Sequence, residues 1–237
     1  SLLHVGVGRR NAQNVGSGSG ASLIKALNPI AWGRFGIGLT DAGGGLCSAW
    51  ADQSGNGNNI VQATGANQPT IQSDRSLLFD GIASFMRASF ALIQPVTAYV
   101  LMNAISWNAN NAALSGATAG ATRVALTDAS ASPQLRMNFG AQFVGITTLP
   151  LSTYGALAVV TNGATSLLQH NNNAPLTGNG GANTWGGITL GGDSGTPTAG
   201  TFWNGSFKEV IVYAAAHDAA TRRTVINYLG QVGNISV

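Results

Sequence analysis

The chain has 237 residues, room for one large β domain or two small ones, and only 8% of them are charged against 44% hydrophobic. That balance excludes a coiled coil, which needs abundant Glu, Lys and Leu, and the recurrent apolar runs exclude disorder driven by charge. The net charge of +3 reflects scarce acids, and Lys and Arg pair up only at Arg9-Arg10 and Arg222-Arg223, so no basic stripe for nucleic acid is expected.

From the N-terminus, residues 1–28 read as an extended or flexible arm. A short apolar start (Leu2, Leu3, Val5) leads into Gly16-Ser17-Gly18-Ser19-Gly20, a flexible-linker composition. The start carries no signal-peptide h-region, and no apolar stretch in the chain reaches the ~20 residues of a membrane span. From residue 29 onward a single domain is expected. Short β runs follow one another: Ile60–Ala63, Ser76–Asp80, Phe85–Ala88, Val96–Ile105, Arg123–Thr127, Gln134–Phe139, Gln142–Ile146, Gly155–Val160, Ser166–His170, Gly187–Leu190 and Ser206–Tyr213. Asn-Gly and Asp-Gly pairs such as Asn56-Gly57, Asp80-Gly81 and Asn162-Gly163 punctuate them, supplying the positive φ of hairpin turns. Strands at this spacing without helices between them indicate a sandwich or barrel. The one helix expected starts after Asp218 as N-cap, runs over residues 219–229 with Val225, Ile226 and Leu229 as its apolar stripe and Arg222 and Arg223 opposite, and stops at Gly230. It is expected to close one end of the sandwich.

Four stretches in order resemble one family. Trp50-Ala51-Asp52-Gln53-Ser54-Gly55-Asn56-Gly57-Asn58 is similar to the W-x-D-x-S-G-N-G-N opening of laminin-G-like, concanavalin A-like jelly-roll domains. Ser76-Leu77-Leu78-Phe79-Asp80-Gly81 before Ser84-Phe85-Met86 resembles the family's F-D-G hairpin. Residues 154–160 take the place of its W-H-H-V-A-V-V strand, with the aromatic kept and the histidines lost, and residues 202–213 resemble its closing strand. The resemblance implies an all-β antiparallel jelly-roll sandwich with one short C-terminal helix, and its Asp-Gln-Ser-Gly-Asn-Gly-Asn form is the one met in the bacteriophage and bacterial branch. Phe79, Phe85, Val100, Leu157, Val159, Val210 and Val212 are the expected core, alternate residues facing inward.

Chemistry is sparse. Cys47 is alone, so neither an internal disulfide nor a cysteine-based zinc site can form, and His4, His170 and His217 stand far apart. Retaining glycosidases need two close carboxyl groups, whereas Glu209 is the single Glu and lies in the closing strand, where a structural role is expected. Gly192-Asp193-Ser194-Gly195 and Ala215-Ala216-His217 imitate protease motifs in the wrong chain order. Gly6-Val7-Gly8-Arg9-Arg10-Asn11 is an incomplete dinucleotide fingerprint. Asp52, Ser54 and Asn56 space oxygens two apart, as in the first half of a calcium loop. With Ala63 at the twelfth position they offer weak calcium binding, or Asp52 simply holds its own loop amides as an Asx-turn. Otherwise no cofactor is expected. Trp107 with Asn108 and Asn110, and Trp185 with Asn183, lie in Asn-rich segments and offer stacking faces and hydrogen bonders to a glycan; the other reading makes the two indoles loop anchors.

Together with interfaces depleted in charge, the resemblance leads to the expectation of a non-enzymatic structural protein of a bacteriophage virion, capsid decoration or a tail or fibre component. Its partners would be other virion subunits in repeated copies, and a host-surface glycan. The other reading is a secreted polysaccharide-active enzyme or a lectin-like carbohydrate-binding module.

Overall fold

The computed structural model describes residues 17–119, 124–128, 134–146, 149–194 and 197–237. The Leu2-Leu3 start, the Arg9-Arg10 pair and the incomplete dinucleotide fingerprint lie outside the described residues. The first elements are α1 (Ser17–Ala26), β1 (Ala31–Gly33), β2 (Leu39–Asp41), β3 (Cys47–Trp50), β4 (Ile60–Val61), β5 (Thr70–Ile71), β6 (Leu77–Asp80) and β7 (Met86–Ser89). Then come β8 (Val96–Ser106), β9 (Ala112–Gly116), β10 (Val124–Asp128), β11 (Leu135–Asn138) and β12 (Gln142–Val144). The chain continues through β13 (Tyr154–Thr161), β14 (Ser166–His170), β15 (Leu176–Gly178), β16 (Gly187–Leu190) and β17 (Asn204–Tyr213), and ends with α2 (Ala219–Gly233).

The strands form two sheets. The first runs β15-β14-β13-β8-β17-β6-β5, with β1 also pairing on β17, and the second runs β12-β11-β10-β9-β16-β7-β4-β3-β2. The pairings are antiparallel, including the long β8–β17 and β8–β13 ladders at the centre of the first sheet. The result is an all-β sandwich, as the sequence leads one to expect.

Period two decides what faces what. In the first sheet Val96, Ala98, Val100 and Met102 of β8, Leu157 and Val159 of β13, and Val210 and Val212 of β17 point inward. There they meet Trp50, Ile60, Met86, Leu114, Leu126, Met137, Ile188 and Leu190 of the second sheet. The alternate residues Tyr99, Leu101, Ala156, Ala158, Ile211 and Tyr213 form a second cluster on the outer face, covered by Val225, Ile226 and Leu229 of α2 and Ile24 of α1. The first sheet therefore has a core on both sides. Burial on both faces gives its strands near-continuous apolar runs instead of a wet and a dry face.

Several expectations need correction. Residues 17–26, read as part of an arm, are helical, and Ile24 is fully buried against Trp32 and Tyr228. Gly20 lies so close to the Tyr228 ring that a Cβ there would sit 2.8 Å from Cδ2. The α2 helix lies across β8 and β13 rather than at one end of the sandwich. It passes Gly230 and ends at Asn234, whose φ of 51° supplies the left-handed cap. Gly230 is small for another reason: a Cβ would fall 2.8 Å from Val237 Cγ2. Asp218 does cap the helix, accepting from the Thr221 amide at 2.8 Å. Arg222 is not on the solvent side: it is buried, with Nε donating to Gln169 Oε1 and Nη1 to the His217 carbonyl, both at 2.8 Å. In β7, Met86 and Ala88 take the inward positions, so Phe85 falls one residue out of register and pairs with Phe202 at 6.3 Å.

A bulge in β17 between Phe207 and Glu209 puts Lys208 and Glu209 both on the outer side. Glu209 is fully buried there. Its Oε1 accepts from Trp32 Nε1 and Tyr228 Oη, each at 2.7 Å, and Oε2 accepts from the Phe35 amide at 3.3 Å. Burial raises the carboxyl pKa despite these donors. Glu209→Ala leaves a buried indole N–H and a buried phenol without an acceptor. The expected loss is roughly 2–5 kcal/mol in urea unfolding, with Glu209→Gln losing less because one acceptor oxygen remains.

The F-D-G hairpin works through Asp80. Its Oδ1 accepts from the amides of Ile82, Ala83 and Ser84 and from the Ser84 hydroxyl at 2.8–3.0 Å. Partial desolvation pushes the carboxyl up, the donors from Ala83, Ser84 and Ile82 outweigh it, and the pKa falls to about 2. A carboxyl lowered on folding contributes stability above its unfolded value of about 3.9 and loses it as pH falls toward the folded value. The stability difference between the wild type and Asp80→Asn is therefore expected to shrink between about pH 5 and about pH 2, as read from urea midpoints.

Candidate functional site

The candidate site is a cleft where the turn after β8, the strands β10 and β11, and the loop between β16 and β17 meet. Trp107 sets the turn. It is 3% exposed, its ring meets Trp203 edge-on at 5.9 Å, and its Nε1 donates to the Asn111 carbonyl at 3.2 Å. Asn111 then ties three segments together. Its Oδ1 accepts from the Asn108 amide at 2.8 Å, its Nδ2 donates to the Gly200 carbonyl at 3.3 Å, and its carbonyl accepts from Thr127 Oγ1 at 2.9 Å. The Ala112 amide, donating to the Thr201 carbonyl at 3.0 Å, fastens the loop again.

On this floor stand the polar walls of a cleft of about 340 Å³, lined by Asn110, Thr127, Arg136, Asp193, Ala199, Gly200 and Thr201. Asn110 has a φ of 71°, which suits Asn in a turn. Its Oδ1 accepts from Arg136 Nη2 at 2.6 Å. Arg136 stands opposite Thr127 in the β10–β11 register, and its Nε is buried without a partner. On the other wall Thr201 Oγ1 stands 2.8 Å from both Asp193 Oδ1 and the Thr198 carbonyl, its one proton shared between the two acceptors. The arrangement offers cationic donors, an anionic acceptor, an amide and hydroxyls around one space, a set suited to a polyhydroxylated ligand.

Of the expected glycan residues, only Asn110 lines the cleft; Asn108 is exposed on the same turn, where its backbone amide is held by Asn111. The two indoles do not serve as stacking faces. Trp107 is in the core as described, and Trp185 is fully buried, stacked on Phe139 at 4.6 Å with Nε1 donating to Thr161 Oγ1 at 2.8 Å. They are loop anchors. Nor are the two segments together: Trp107 adjoins the Ala112 end of β9, whereas the Trp185 carbonyl accepts from Ala117 beyond its Gly116 end. Asn183, with its amide on the Phe139 carbonyl at 2.8 Å, goes with Trp185. Arg136 and Asp193 were not expected at a glycan site. Their only sequence sign is charge in a chain that has little.

The Asp52 loop is an Asx-turn. Oδ1 accepts from the amides of Trp32 and Ser54, and Oδ2 from Ser54 Oγ and the Asn58 amide, all at 2.6–2.9 Å. Asn56 Nδ2 donates to the Pro29 and Ile30 carbonyls and to Ser54 Oγ. The loop thus uses its one carboxylate on its own amides, the Ser54 hydroxyl and the Trp32 amide of β1, and among the described residues no cluster of three His, Cys, Asp or Glu could hold a metal. The protease imitation fails in space as well as in order. His217 packs on the outer face of the first sheet, with Nδ1 2.8 Å from Tyr99 Oη and burial lowering its pKa. The loop of Asp193 and Ser194 instead borders the second sheet, where Ser115 Oγ donates to the Gly192 carbonyl.

No family model matches the chain, and no curated protein matches it either. Solved structures do share its fold. A GH54 α-L-arabinofuranosidase aligns with a TM-score of 0.61 at 15% identity, over 79% of this chain and 51% of that one. The sialidase of Trypanosoma rangeli aligns at 0.57 and 16% identity, over 82% and 33%. Domain 4 of AbnA, a GH43 extracellular arabinanase from Geobacillus stearothermophilus, in complex with arabinotriose, aligns at 0.55 and 13% identity, over 87% and 98%. The chain thus spans about half of the arabinofuranosidase and a third of the sialidase, but nearly all of the arabinanase domain. At such low identity the superpositions show the fold alone, a shared jelly-roll-like β-sandwich. The expectation of a non-enzymatic bacteriophage structural protein is corrected by this comparison, because the fold is shared with glycoside hydrolases and a sialidase. The expected absence of enzymatic activity and the virion partners fall with it.

Replacing Asn111 by Ala removes its side-chain bonds to the Asn108 amide and the Gly200 carbonyl, while the main-chain bond from Thr127 Oγ1 stays. The expected result is faster amide exchange at Asn108 and a stability loss of about 1–3 kcal/mol, with the rest of the sandwich unchanged in exchange protection.

Proposed function

We propose that this chain is the sugar-recognising β-sandwich of a carbohydrate-active protein, and that the cleft between Asn110, Arg136, Asp193 and Thr201 seats its saccharide. The observation that carries this reading is the cleft itself: about 340 Å³, walled by charged and amide groups on a rigid floor. That volume is at the lower end of the roughly 300–1,000 Å³ of small-molecule sites. The fold comparison supports it, since the arabinanase domain matched over nearly its whole length is in complex with arabinotriose. Within the concanavalin A-like folds, the Asp52 and Asp80 turns support a place near the laminin-G-like branch. Cell-wall and capsular glycans lie outside cells, so the reading includes an extracellular setting and leaves room for further domains in the same protein.

A hydrolytic form of the same reading would need a second carboxyl group beside Asp193, the carboxylate among the described lining residues. Two measurements on the chain test both forms. Calorimetric titration with neutral and acidic oligosaccharides, arabinotriose included, is expected to show binding that Arg136→Ala weakens by at least about tenfold, or 1.4 kcal/mol. Incubation with arabinan and other plant and bacterial polysaccharides reports new reducing ends if the cleft cleaves. Absence of binding and of cleavage across the whole panel overturns the proposal.

A further inference from the structure

Arg136 and Asp193 line one cleft without pairing: among the described residues the ion pair is Lys208–Asp74, at 3.4 Å. Each is only partly engaged. Arg136 uses Nη2 on Asn110 and keeps Nε buried and unpartnered, while the Asp193 carboxylate shares the Thr201 hydroxyl proton with the Thr198 carbonyl. A guanidinium has five N–H donors and an ionised carboxylate about four acceptor sites, so both retain capacity. Arg136 borders the cleft and Asn110 takes only one of its N–H groups, so a ligand oxygen in the cleft can accept from the guanidinium.

From this we infer that the cleft recognises a neutral vicinal diol, one hydroxyl accepting from Arg136 and its neighbour donating to Asp193. The inference rests on the sugar-recognising reading and narrows it to uncharged sugars. A hydroxyl both donates and accepts, so two adjacent ones bridge a fixed donor and a fixed acceptor that stand apart. A sugar acid gains from Arg136 but meets the Asp193 carboxylate, and an amino sugar gains from Asp193 but meets Arg136. Each charged wall therefore selects against one class of charged saccharide. Asn110 holds the guanidinium and Thr201 the carboxylate, so little ordering remains to be done on binding.

The test uses the whole chain, labelled with ¹⁵N, titrated with arabinotriose, xylotriose, galactotriose and trigalacturonate. The expected result is that at least one neutral trisaccharide binds about tenfold or more tightly than trigalacturonate and shifts the amides of Asn110, Asp193 and Thr201. Arg136→Ala and Asp193→Ala, each checked for an unchanged spectrum elsewhere, are expected to weaken it by at least about tenfold. Asp193→Asn keeps a similar shape and is expected to bring trigalacturonate closer to the neutral sugars. Preference for trigalacturonate in the wild type overturns the diol inference. So does neutral-sugar binding that leaves these amides unshifted or survives both alanine variants, and in either case sugar recognition by the domain still stands. Failure of every saccharide to bind overturns the sugar reading and the inference together.

Discussion

A buried carboxylate organises the outer layer of this molecule. Glu209 is carried to the outer face of the first sheet by the β17 bulge, where it receives Trp32 from β1, the Phe35 amide and Tyr228 from α2. Two parts of the chain far apart in sequence, residues 32–35 and Tyr228, converge on one acceptor group. Burial makes the site unforgiving, because each donor would otherwise lie in an apolar layer with no water to meet it. Around this anchor α1 and α2 cover Tyr99, Leu101, Ala156, Ala158, Ile211 and Tyr213, so the central strands are sealed on both faces.

That sealing explains a feature of composition that is easily misread. A chain with so little charge suggests a surface made for packing against other subunits. Here much of the low charge has an internal cause, since a sheet covered on both sides has no row of positions that must face water. Loops are polar through Asn, Ser, Thr and Asp, and many of those side chains are spent on backbone groups, as around Asp52 and Asp80.

The same two loops show why the fold could be read from sequence far better than the site. Each Asp satisfies several backbone donors in one turn, a local requirement that leaves a fixed pattern of Asp, Ser, Asn and Gly. The pattern reports architecture, and both motifs prove to be turn scaffolding. The α1 helix leaves no such pattern: Ser-Gly-Ser-Gly is a poor helix former, and packing of Ala21 and Ile24 on the outer cluster, with the fit of Gly20 on Tyr228, holds it there. The register of β7 is lost for a similar reason, since Phe85 is more hydrophobic than Ala88 yet stands on the wrong parity. At the cleft, Asn110 is visible as a polar turn residue. Arg136 and Asp193 belong to segments separated by more than one sheet strand, and nothing local marks them as neighbours. The indoles show the opposite error, since Asn-rich surroundings suggest exposure while the rings supply anchorage.

The Asn111 tie has a consequence for how such a domain can diversify. It fixes the cleft floor through a buried side chain and through main-chain carbonyls, those of Gly200 and of Asn111 itself. Main-chain acceptors are indifferent to the side chain carried at their position. Asn108, Ala109, Asn110, Thr198 and Ala199 are exposed at the rim. Exchanges at those positions alter what the cleft meets while its supporting framework persists, the separation of duties on which antibody loops depend. A combinatorial library confined to Asn108, Ala109, Thr198 and Ala199 would sample new specificities at little cost to the sandwich, whereas Asn110, at a φ of 71°, accepts few exchanges besides Gly.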